Sequence, residues 1–236
     1  MHRSRPHVTV MDFPRLTRYL ANLAANNDKQ WFEANRAEFQ ALRDDFHAYV
    51  GRVIAEIAEF DEAVRWVDPK DCVFRIYRDV RFSRDKTPYK TTFSASISER
   101  GRRSGGPTYY FHVDEKGMLL VAGGVYMPGN ETLALIREHV ADDPERLREI
   151  LDAPAFRKAF GGLWMEHTLK RPPSGYAADA PMIEFIRLKS FIAECERDVT
   201  RETGDVLPWL GETFRAMHPF LMWLGDALAG APEPSA

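Results

Sequence analysis

The sequence predicts an α+β fold in which an antiparallel sheet of about four or five strands is covered by helices from both ends of the chain. Apolar residues recur at helical spacing near both ends. Between them, short β-branched and aromatic runs alternate with a period of two and are separated by turn residues. Linkers rich in turn residues favour antiparallel pairing over parallel βαβ crossovers. We expect a single domain over residues 1–236, with frayed tails at 1–10 and 230–236.

The N-terminal part of the chain predicts two packed helices. A first apolar stripe at helical spacing consists of Phe13, Leu16, Leu20 and Leu23. A second and longer helix is expected to begin near a cap at Asn27 or Asp28. Its stripe consists of Phe39, Leu42, Phe46, Tyr49, Val53, Ile57 and Phe60.

Four runs with a period of two then predict the strands. They are CVFRIY (72–77), FSASIS (93–98), TYYFHV (108–113) and MLLVAGGVY (118–126). We expect the first strand to extend through Phe82. The glycine pair at 123–124 lacks the spacing of a dinucleotide-binding motif and predicts a strand bulge or close packing.

Helices resume after the predicted sheet. Asp143 followed by Pro144 predicts one helix start, and Pro154 predicts another short helix. Pro219 should kink or break the last helix. Two apolar stripes predict the C-terminal helices, namely Phe185, Leu188, Ile192, Cys195 and Val199, and then Leu210, Phe214, Met217, Leu221, Leu224 and Leu228.

Charge and cysteine usage exclude several classes of protein. The net charge of −3 argues against bulk attraction to nucleic acid or membrane. Residues 75–103 nevertheless carry a local net charge of +6, which leaves −9 for the remainder. Two cysteines are too few for a disulfide framework, and no membrane-spanning stretch or signal-peptide core is evident. We therefore expect a cytoplasmic protein with no membrane partner.

The basic segment RIYRDVRFSRDKTPYK, residues 75–90, predicts an anion site. If the first strand runs through Phe82, Arg78 interrupts its apolar face and requires a carboxylate or a bound anion as partner. Asp79 is suited to orient an arginine through a bidentate pair. The predicted ligand contacts are the cations Arg75, Arg78, Arg81 and Lys86, with Asp79 as the orienting acid and Tyr89 as a hydroxyl and an aromatic wall.

The same residues carry a resemblance to a known family. The pattern R-x-x-R-D-x-R-F-x-x-(D/N)-K-x-x-Y, from Arg75 to Tyr89, resembles the signature of domain of unknown function 2461. The stretches NNDKQWFEANR, LKRPPSGY and IRLKSF are similar to its N-terminal helix entry, its Lys-Arg-Pro loop and its Leu-Lys-Ser helix start. The resemblance implies one unit of about this length. It implies no catalytic residue, because the family has no established activity.

Three functions fit the basic segment. We expect first a small phosphorylated or otherwise anionic ligand, including nucleotide-like ones. A nucleic-acid-binding module would use the patch through Arg103 along a phosphate backbone. In a structural or interaction protein, the arginines would form an internal salt-bridge network or meet an acidic partner. For an enzyme, Asp79 and His112 are the candidate bases.

Other residues give weaker signals. Residues 161–181 form a long connection that is either a lid or an irregular connector, and Lys170 and Arg171 within it are candidate ligand contacts. Lys189 is expected near a helix start, where backbone amides favour anions. Glu166 and His167 are adjacent in sequence and do not have the spacing of a zinc site. The sequence predicts no metal and no cofactor.

Overall fold

One antiparallel sheet in the order β1-β2-β3-β4 organises residues 10–229, the part of the chain that the computed structural model describes. Each strand pairs with the next one along the chain. The predicted α+β class is therefore confirmed. The predicted tails, apart from residue 10, lie outside the described residues. The strands are β1 (Thr92–Ile97), β2 (Thr108–Asp114), β3 (Met118–Val125) and β4 (Phe191–Asp198).

Helices precede the sheet, connect β3 to β4 and follow β4. Asp28 is a helix cap as predicted, because its side chain accepts a hydrogen bond from the amide of Trp31. The helix that it caps is only six residues long, however, and the longer helix that carries the predicted stripe begins only at Arg36. Asp143 likewise caps the helix that begins at Pro144. Within residues 10–229, no helix has the length and apolarity that crossing a membrane requires. The helices are α1 (Phe13–Ala25), α2 (Lys29–Ala34), α3 (Arg36–Ile57), α4 (Pro69–Cys72), α5 (Asn130–Asp142), α6 (Pro144–Asp152), α7 (Pro154–Phe160), α8 (Ile183–Ile186) and α9 (Leu207–Ala227).

The core lies between one face of the sheet and the helices α1, α3 and α9. Strand alternation points every second side chain towards this layer. Phe46 of α3 packs edge-to-face against Phe93 of β1 at 5.4 Å between ring centroids, and in a tilted arrangement against Phe111 of β2 at 5.6 Å. The apolar sheet face consists of Phe93, Ala95, Ile97, Tyr109, Phe111, Val113, Leu119, Val121, Gly123, Val125, Phe191, Ala193 and Cys195.

The first predicted strand is wrong. Cys72 ends α4, and beyond it only isolated bridges form, from Val73 to Ala95 and from Tyr77 to Tyr89. Phe82, expected on a buried face, is 95% exposed. The acidic side chains of this segment hydrogen-bond to backbone and side chains close in sequence, and such contacts compete with a strand ladder.

The helix predicted from Phe185 to Val199 is also wrong. Only the single turn α8 is helical there, and Phe191 begins β4. The apolar residues of this stretch fit the period of a helix and also that of a strand. Pairing with the free edge of β3 favours the strand. Lys189 consequently precedes a strand rather than a helix.

Pro219 does not break the last helix. Helix α9 continues through it to Ala227. One side of α9 buries Met217, Phe220 and Leu224 completely. We attribute the continuity to this burial, which offsets the lost backbone hydrogen bond.

The glycine pair in β3 provides close packing, as the sequence predicted. Gly124 has a φ of +128°, and a Cβ atom at this position would lie 1.9 Å from the carbonyl oxygen of Phe191 in β4. A Cβ atom at Gly123 would lie 2.0 Å from the sulfur of Met217 in α9. The first contact sets how closely β3 and β4 approach each other, and the second sets how closely α9 approaches the sheet.

We expect Gly124→Ala to lower the free energy of unfolding by about 3 kcal/mol or more, because the added methyl group meets rigid backbone and alanine disfavours this φ. Chemical denaturation measures the change. Gly162→Ala is the control, since a Cβ atom there meets nothing within 4 Å. A loss of less than about 1 kcal/mol for Gly124→Ala would contradict the described approach of the two strands.

Candidate functional site

The basic segment folds into a closed loop, and residues 75–90 are called the motif loop from here on. Its two ends run antiparallel to each other. The amide of Arg78 donates to the carbonyl of Pro88 at 2.9 Å, and the amide of Lys90 donates to the carbonyl of Ile76 at 2.7 Å. These bonds bring the two ends of the basic segment together and leave its middle as an exposed tip.

Tyr89 anchors the motif loop in the helical layer. Its backbone is held by the side chain of Asn27, whose amide nitrogen donates to the carbonyl of Tyr89 at 3.0 Å and whose oxygen accepts from the amide of Tyr89 at 3.1 Å. The ring of Tyr89 stacks on Phe32 at a centroid distance of 4.1 Å. Only 4% of Tyr89 is exposed. The structure therefore places this predicted ligand contact in the core.

Arg78 braces the motif loop from inside. Its Nη1 donates to Oδ2 of Asp85 at 2.5 Å, to the hydroxyl of Thr87 and to the carbonyl of Thr87 at 3.3 Å. Of the two kinds of partner predicted for Arg78, a carboxylate or a bound anion, the structure has the carboxylate. Asp85 also accepts from the amide of Thr87 at 3.0 Å. That amide, followed by the Arg78 guanidinium, lowers the pKa of Asp85 to about 2.

The tip of the motif loop carries a second ion pair. The Nε of Arg81 donates to Oδ1 of Asp79 at 3.0 Å and its Nη2 donates to Oδ2 at 2.7 Å, which makes the pair bidentate. The Arg81 side chain lowers the pKa of Asp79. The ammonium of Lys86 donates to the carbonyl of Val80 at 2.9 Å. Arg81 and Asp79 thus satisfy each other, Lys86 is bonded to nearby backbone, and the Arg81 side chain remains 77% exposed.

Two cations at the base of the motif loop differ from those at the tip. Within residues 10–229, neither Arg75 nor Lys90 forms an ion pair with a carboxylate. Lys90 is half-buried, and its ammonium lies 5.2 Å from the ring centroid of Phe74. Burial, followed by the nearby charge of Arg75, lowers the pKa of Lys90. Both effects disfavour the charged ammonium in the absence of an anion.

The base of the motif loop adjoins the sheet face that points away from the core. The ring of Phe74 contacts that of Tyr110 at a centroid distance of 6.3 Å. We call this surface the polar sheet face. It consists of Ser94 and Ser96 on β1, Tyr110 and His112 on β2, Leu120 and Ala122 on β3, and Glu194 and Glu196 on β4.

His112 lies on the polar sheet face, next to Tyr110. Its Nδ1 is 3.2 Å from the Tyr110 hydroxyl. Burial lowers the pKa of His112, outweighing the nearby carboxylates, of which Asp114 has the largest effect. The imidazole is therefore mainly neutral at pH 7 and is able to accept a proton. Asp79, the other candidate base, lies at the loop tip with its carboxylate bound to Arg81.

Both outer edges of the sheet are partly covered. At β1, the amide of Phe74 donates to the carbonyl of Ser94 at 3.0 Å. At β4, the amide of Trp164 donates to the carbonyl of Ile192 at 2.7 Å. The polar sheet face therefore lies between the motif loop on one side and residues 163–169 on the other.

The long connection at 161–181 is fixed along its first half. The amide of Leu169 donates to the carbonyl of Arg187 at 2.8 Å, which continues the pairing alongside the residues before β4. Lys170 and Arg171 follow this stretch and are exposed. The structure places them by the β4 edge, whereas the predicted arginines lie by the β1 edge, and so it does not bring the two sets together. The lid stays a prediction.

A separate cleft of about 460 Å³ lies among the helices. Its lining includes Asp143, which caps α6, and Arg146, whose side chain bonds to Glu149 at 3.1 Å. Asp143 and Arg146 have partners within the protein, whereas the indole nitrogen of Trp223, in the same lining, is buried without one among the described residues. A neutral donor without a partner costs less than a cation without a counter-charge, so the base of the motif loop and the polar sheet face are the stronger candidate site.

The DUF2461 family model, described as a conserved hypothetical protein, matches residues 15–223. The chain belongs to this family. The match includes the whole motif loop, all four strands and all but the last residues of α9. No curated protein and no solved structure matches the chain. Membership of the DUF2461 family therefore assigns no activity to the chain.

Sequence reasoning missed two contributors to this site. Lys90 ends the basic segment but lies beyond the DUF2461 signature, and only the closure of the motif loop brings it next to Arg75. Glu194 was assigned to a helix, so its place on the polar sheet face was hidden. Tyr110 and His112 alternate along β2, so their side chains share a face.

The interactions of the Asp85 carboxylate with Thr87 and Arg78 should persist in mild acid and be lost in strong acid. The pKa of this carboxylate in the folded protein is about 2, against about 3.9 for an unfolded aspartate. Because the folded pKa is depressed, its contribution is complete above pH 4 or so and is lost as the pH falls towards about 2. We expect the Thr87 amide, after correction for intrinsic exchange rates, to be protected from hydrogen exchange at pH 4 and to lose protection near pH 2.

Asp198 offers a matched control, since it accepts from the amide of Thr200 at 2.8 Å in a similar turn. Asp85→Asn should accelerate exchange of the Thr87 amide at pH 7, and Asp198→Asn should not. Unchanged exchange at Thr87 in Asp85→Asn would contradict the bracing role.

Proposed function

We propose that the protein binds a small phosphorylated or otherwise anionic ligand, including nucleotide-like ones, where the motif loop meets the polar sheet face. Arg75 and Lys90 supply the positive charge. The observation that carries the proposal is the half-buried ammonium of Lys90, which has a second cation beside it and forms no ion pair within residues 10–229.

Uncompensated positive charge at the base of the motif loop is the physical basis of this proposal. A cation withdrawn from water costs free energy unless an anion or several acceptors replace its hydration. Arg75 adds repulsion instead. A bound phosphate or carboxylate would interact favourably with both cations, and the guanidinium offers a planar pair of donors suited to such groups. The hydroxyls of Tyr110 and Ser94, which hydrogen-bond to each other, add neutral polar groups on the adjoining sheet surface.

The rest of the motif loop supports this site indirectly. Arg78 and Arg81 form internal ion pairs, as the structural interpretation of the arginines requires. These pairs fix the shape of the loop, and the cations at its base, Arg75 and Lys90, are available to bind a ligand. For a reaction on the ligand, His112 is the better-placed base, because it is mainly neutral and lies on the same face.

A cytoplasmic location is part of the proposal. Cys72 and Cys195 are free thiols. Burial raises the pKa of Cys72 to about 12 and that of Cys195 to about 11, so both are protonated and weakly reactive at pH 7. Free, unreactive cysteines are typical of proteins in a reducing compartment.

The test is Lys90→Met, which keeps the length of the side chain and removes its charge. We expect affinity for inorganic phosphate, pyrophosphate or AMP, measured by calorimetry, to fall at least about tenfold. The free energy of unfolding should stay equal or rise, because the burial cost of a lone ammonium disappears. This opposite response of binding and stability distinguishes a ligand contact from a structural one.

Lys116→Met, in the exposed turn between β2 and β3, is the matched control and should change affinity by less than about threefold through long-range attraction alone. The proposal fails if Lys90→Met binds these anions as tightly as the original protein. A large loss for Lys86→Met with no loss for Lys90→Met would instead place the anion at the loop tip.

A second candidate function, nucleic-acid binding, is favoured by the loop tip. Phe82 is 95% exposed, the guanidinium of Arg81 lies 5.8 Å from its ring centroid, and Arg84 and Lys86 are exposed beside it. An exposed ring among cations suits base stacking with phosphate contacts. The patch does not continue freely towards residue 103, because Arg102 donates to backbone carbonyls of α4.

This second function predicts that Phe82→Ala weakens binding of a short oligothymidylate about tenfold. Log affinity should also fall linearly with log salt concentration. Fluorescence anisotropy at several salt concentrations measures both effects. If the original protein shows no oligothymidylate binding at low salt, this candidate is excluded, and phosphate binding at Lys90 is unaffected by that result.

A further inference from the structure

The β4 side of the polar sheet face concentrates negative charge. Glu194 and Glu196 project from β4 on this face, and Glu166 of the covering stretch is close enough to influence the pKa of Glu194. Within residues 10–229, none of the three carboxylates forms an ion pair. Glu194 is half-buried, and burial together with its two acidic neighbours raises its pKa.

The two ends of the polar sheet face thus carry opposite and unneutralised charges. Arg75 and Lys90 lie by the β1 edge, and the glutamates lie by the β4 edge. Residues 73 and 74 pair with the outer edge of β1, so four strand spacings of about 4.8 Å, or about 19 Å in all, separate the segment that carries Arg75 from β4. The sheet holds the charges too far apart for a direct ion pair, so each end keeps the cost of its own uncompensated charge.

The row of residues between the two ends is suited to contact with a ligand. Backbone pairing aligns Ser96, Tyr110, Ala122 and Glu194 across the four strands. Ser96 is only 6% exposed, and its hydroxyl makes no hydrogen bond within the described residues. Strand alternation directs this hydroxyl to the polar sheet face, where it is able to donate to or accept from a ligand.

We propose that the ligand is an elongated dipolar molecule, with a phosphate or carboxylate at Arg75 and Lys90 and a cationic amine at Glu194. This inference rests on the proposed anion site and adds a second contact point at the opposite edge of the sheet. The amine pairs with Glu194, and Glu196 and Glu166 add attraction. The middle of the ligand lies over Tyr110, Leu120 and Ala122, which offer hydroxyl and apolar contacts.

An organic amine fits the acidic end better than a metal ion. Among residues 10–229, no three His, Cys, Asp or Glu side chains are grouped closely enough to hold a metal. An ammonium group requires only one or two carboxylates, whereas a metal site needs a closed set of ligands. The separation of the two ends, reduced by the reach of the side chains, favours ligands whose charges lie about 10 Å apart.

The experiment compares ω-aminoalkyl phosphates of increasing chain length with alkyl phosphates of the same length that lack the amine. Calorimetry gives the ratio of the two affinities at each length. We expect the amine to strengthen binding at least about fivefold at lengths that span roughly 10 Å, and to have little effect in short chains.

Variants assign the two ends separately. Glu194→Gln should remove most of the advantage of the amine while leaving alkyl phosphate affinity unchanged, and its melting temperature should show that the protein remains folded. Lys90→Met should weaken both series. Glu59→Gln, which removes an exposed carboxylate outside the polar sheet face, is the control and should change neither.

The outcomes separate the two proposals. If neither series binds and inorganic phosphate also fails to bind, the proposed anion site is wrong and the dipolar ligand falls with it. If alkyl phosphates bind but the amine gives no advantage at any length, the dipolar ligand alone is wrong. An amine advantage that persists in Glu194→Gln would likewise overturn the placement of the amine.

Discussion

Burial of a single face of the sheet is the constraint on which the arrangement of this protein depends. Helices α1, α3 and α9 cover the apolar sheet face, so the alternation of each strand directs its polar residues to the opposite side. The same packing places Phe32 where Tyr89 stacks on it, with Asn27 bonded to the backbone of Tyr89. The helical layer therefore also fixes the end of the motif loop that carries Lys90.

The DUF2461 signature combines two physical roles in one short segment. Arg78, Asp79, Arg81 and Asp85 form ion pairs within the loop, and pairs this exposed contribute little to overall stability. Their effect is local, because they restrict an irregular loop that has few backbone hydrogen bonds of its own. Arg75, the first residue of the signature, lies outside these pairs. Positive charge in the segment thus serves both to shape the loop and to leave cations at its base.

Much of the fold was predictable because its signals are local. The alternation in β1, β2 and β3 and the caps at Asp28 and Asp143 depend on residues close in sequence. Strand β4 was not predictable in this way, because the spacing of Ile192, Cys195 and Val199 suits a helix as well. Its pairing with β3, more than sixty residues earlier, decided the outcome. The period-two pattern at the start of the DUF2461 signature wrongly predicted a strand. The aspartates of this segment hydrogen-bond to groups close in sequence, and no ladder of strand hydrogen bonds forms there.

The candidate site was predictable to the extent that it follows from charge. A half-buried arginine requires a counter-charge, and Arg78 has one in Asp85. The sequence could not show which cations of the segment form ion pairs and which do not, because that depends on the closure of the motif loop, which brings its two ends together. The acidic end of the polar sheet face could not be predicted either, because its glutamates lie on β4, where the sequence predicted a helix. Both depend on contacts between distant residues, which neither spacing nor composition reveals.

The covered edges of the sheet affect how copies of this protein meet one another. An open edge strand offers unpaired backbone groups to any other chain, and this is a common route to aggregation and domain swapping. Here Val73 and Phe74 occupy part of the outer edge of β1, and Trp164 bonds to the outer edge of β4. Strand addition across molecules is therefore hindered at both edges. The long connection before β4 thus limits backbone pairing between copies at that edge.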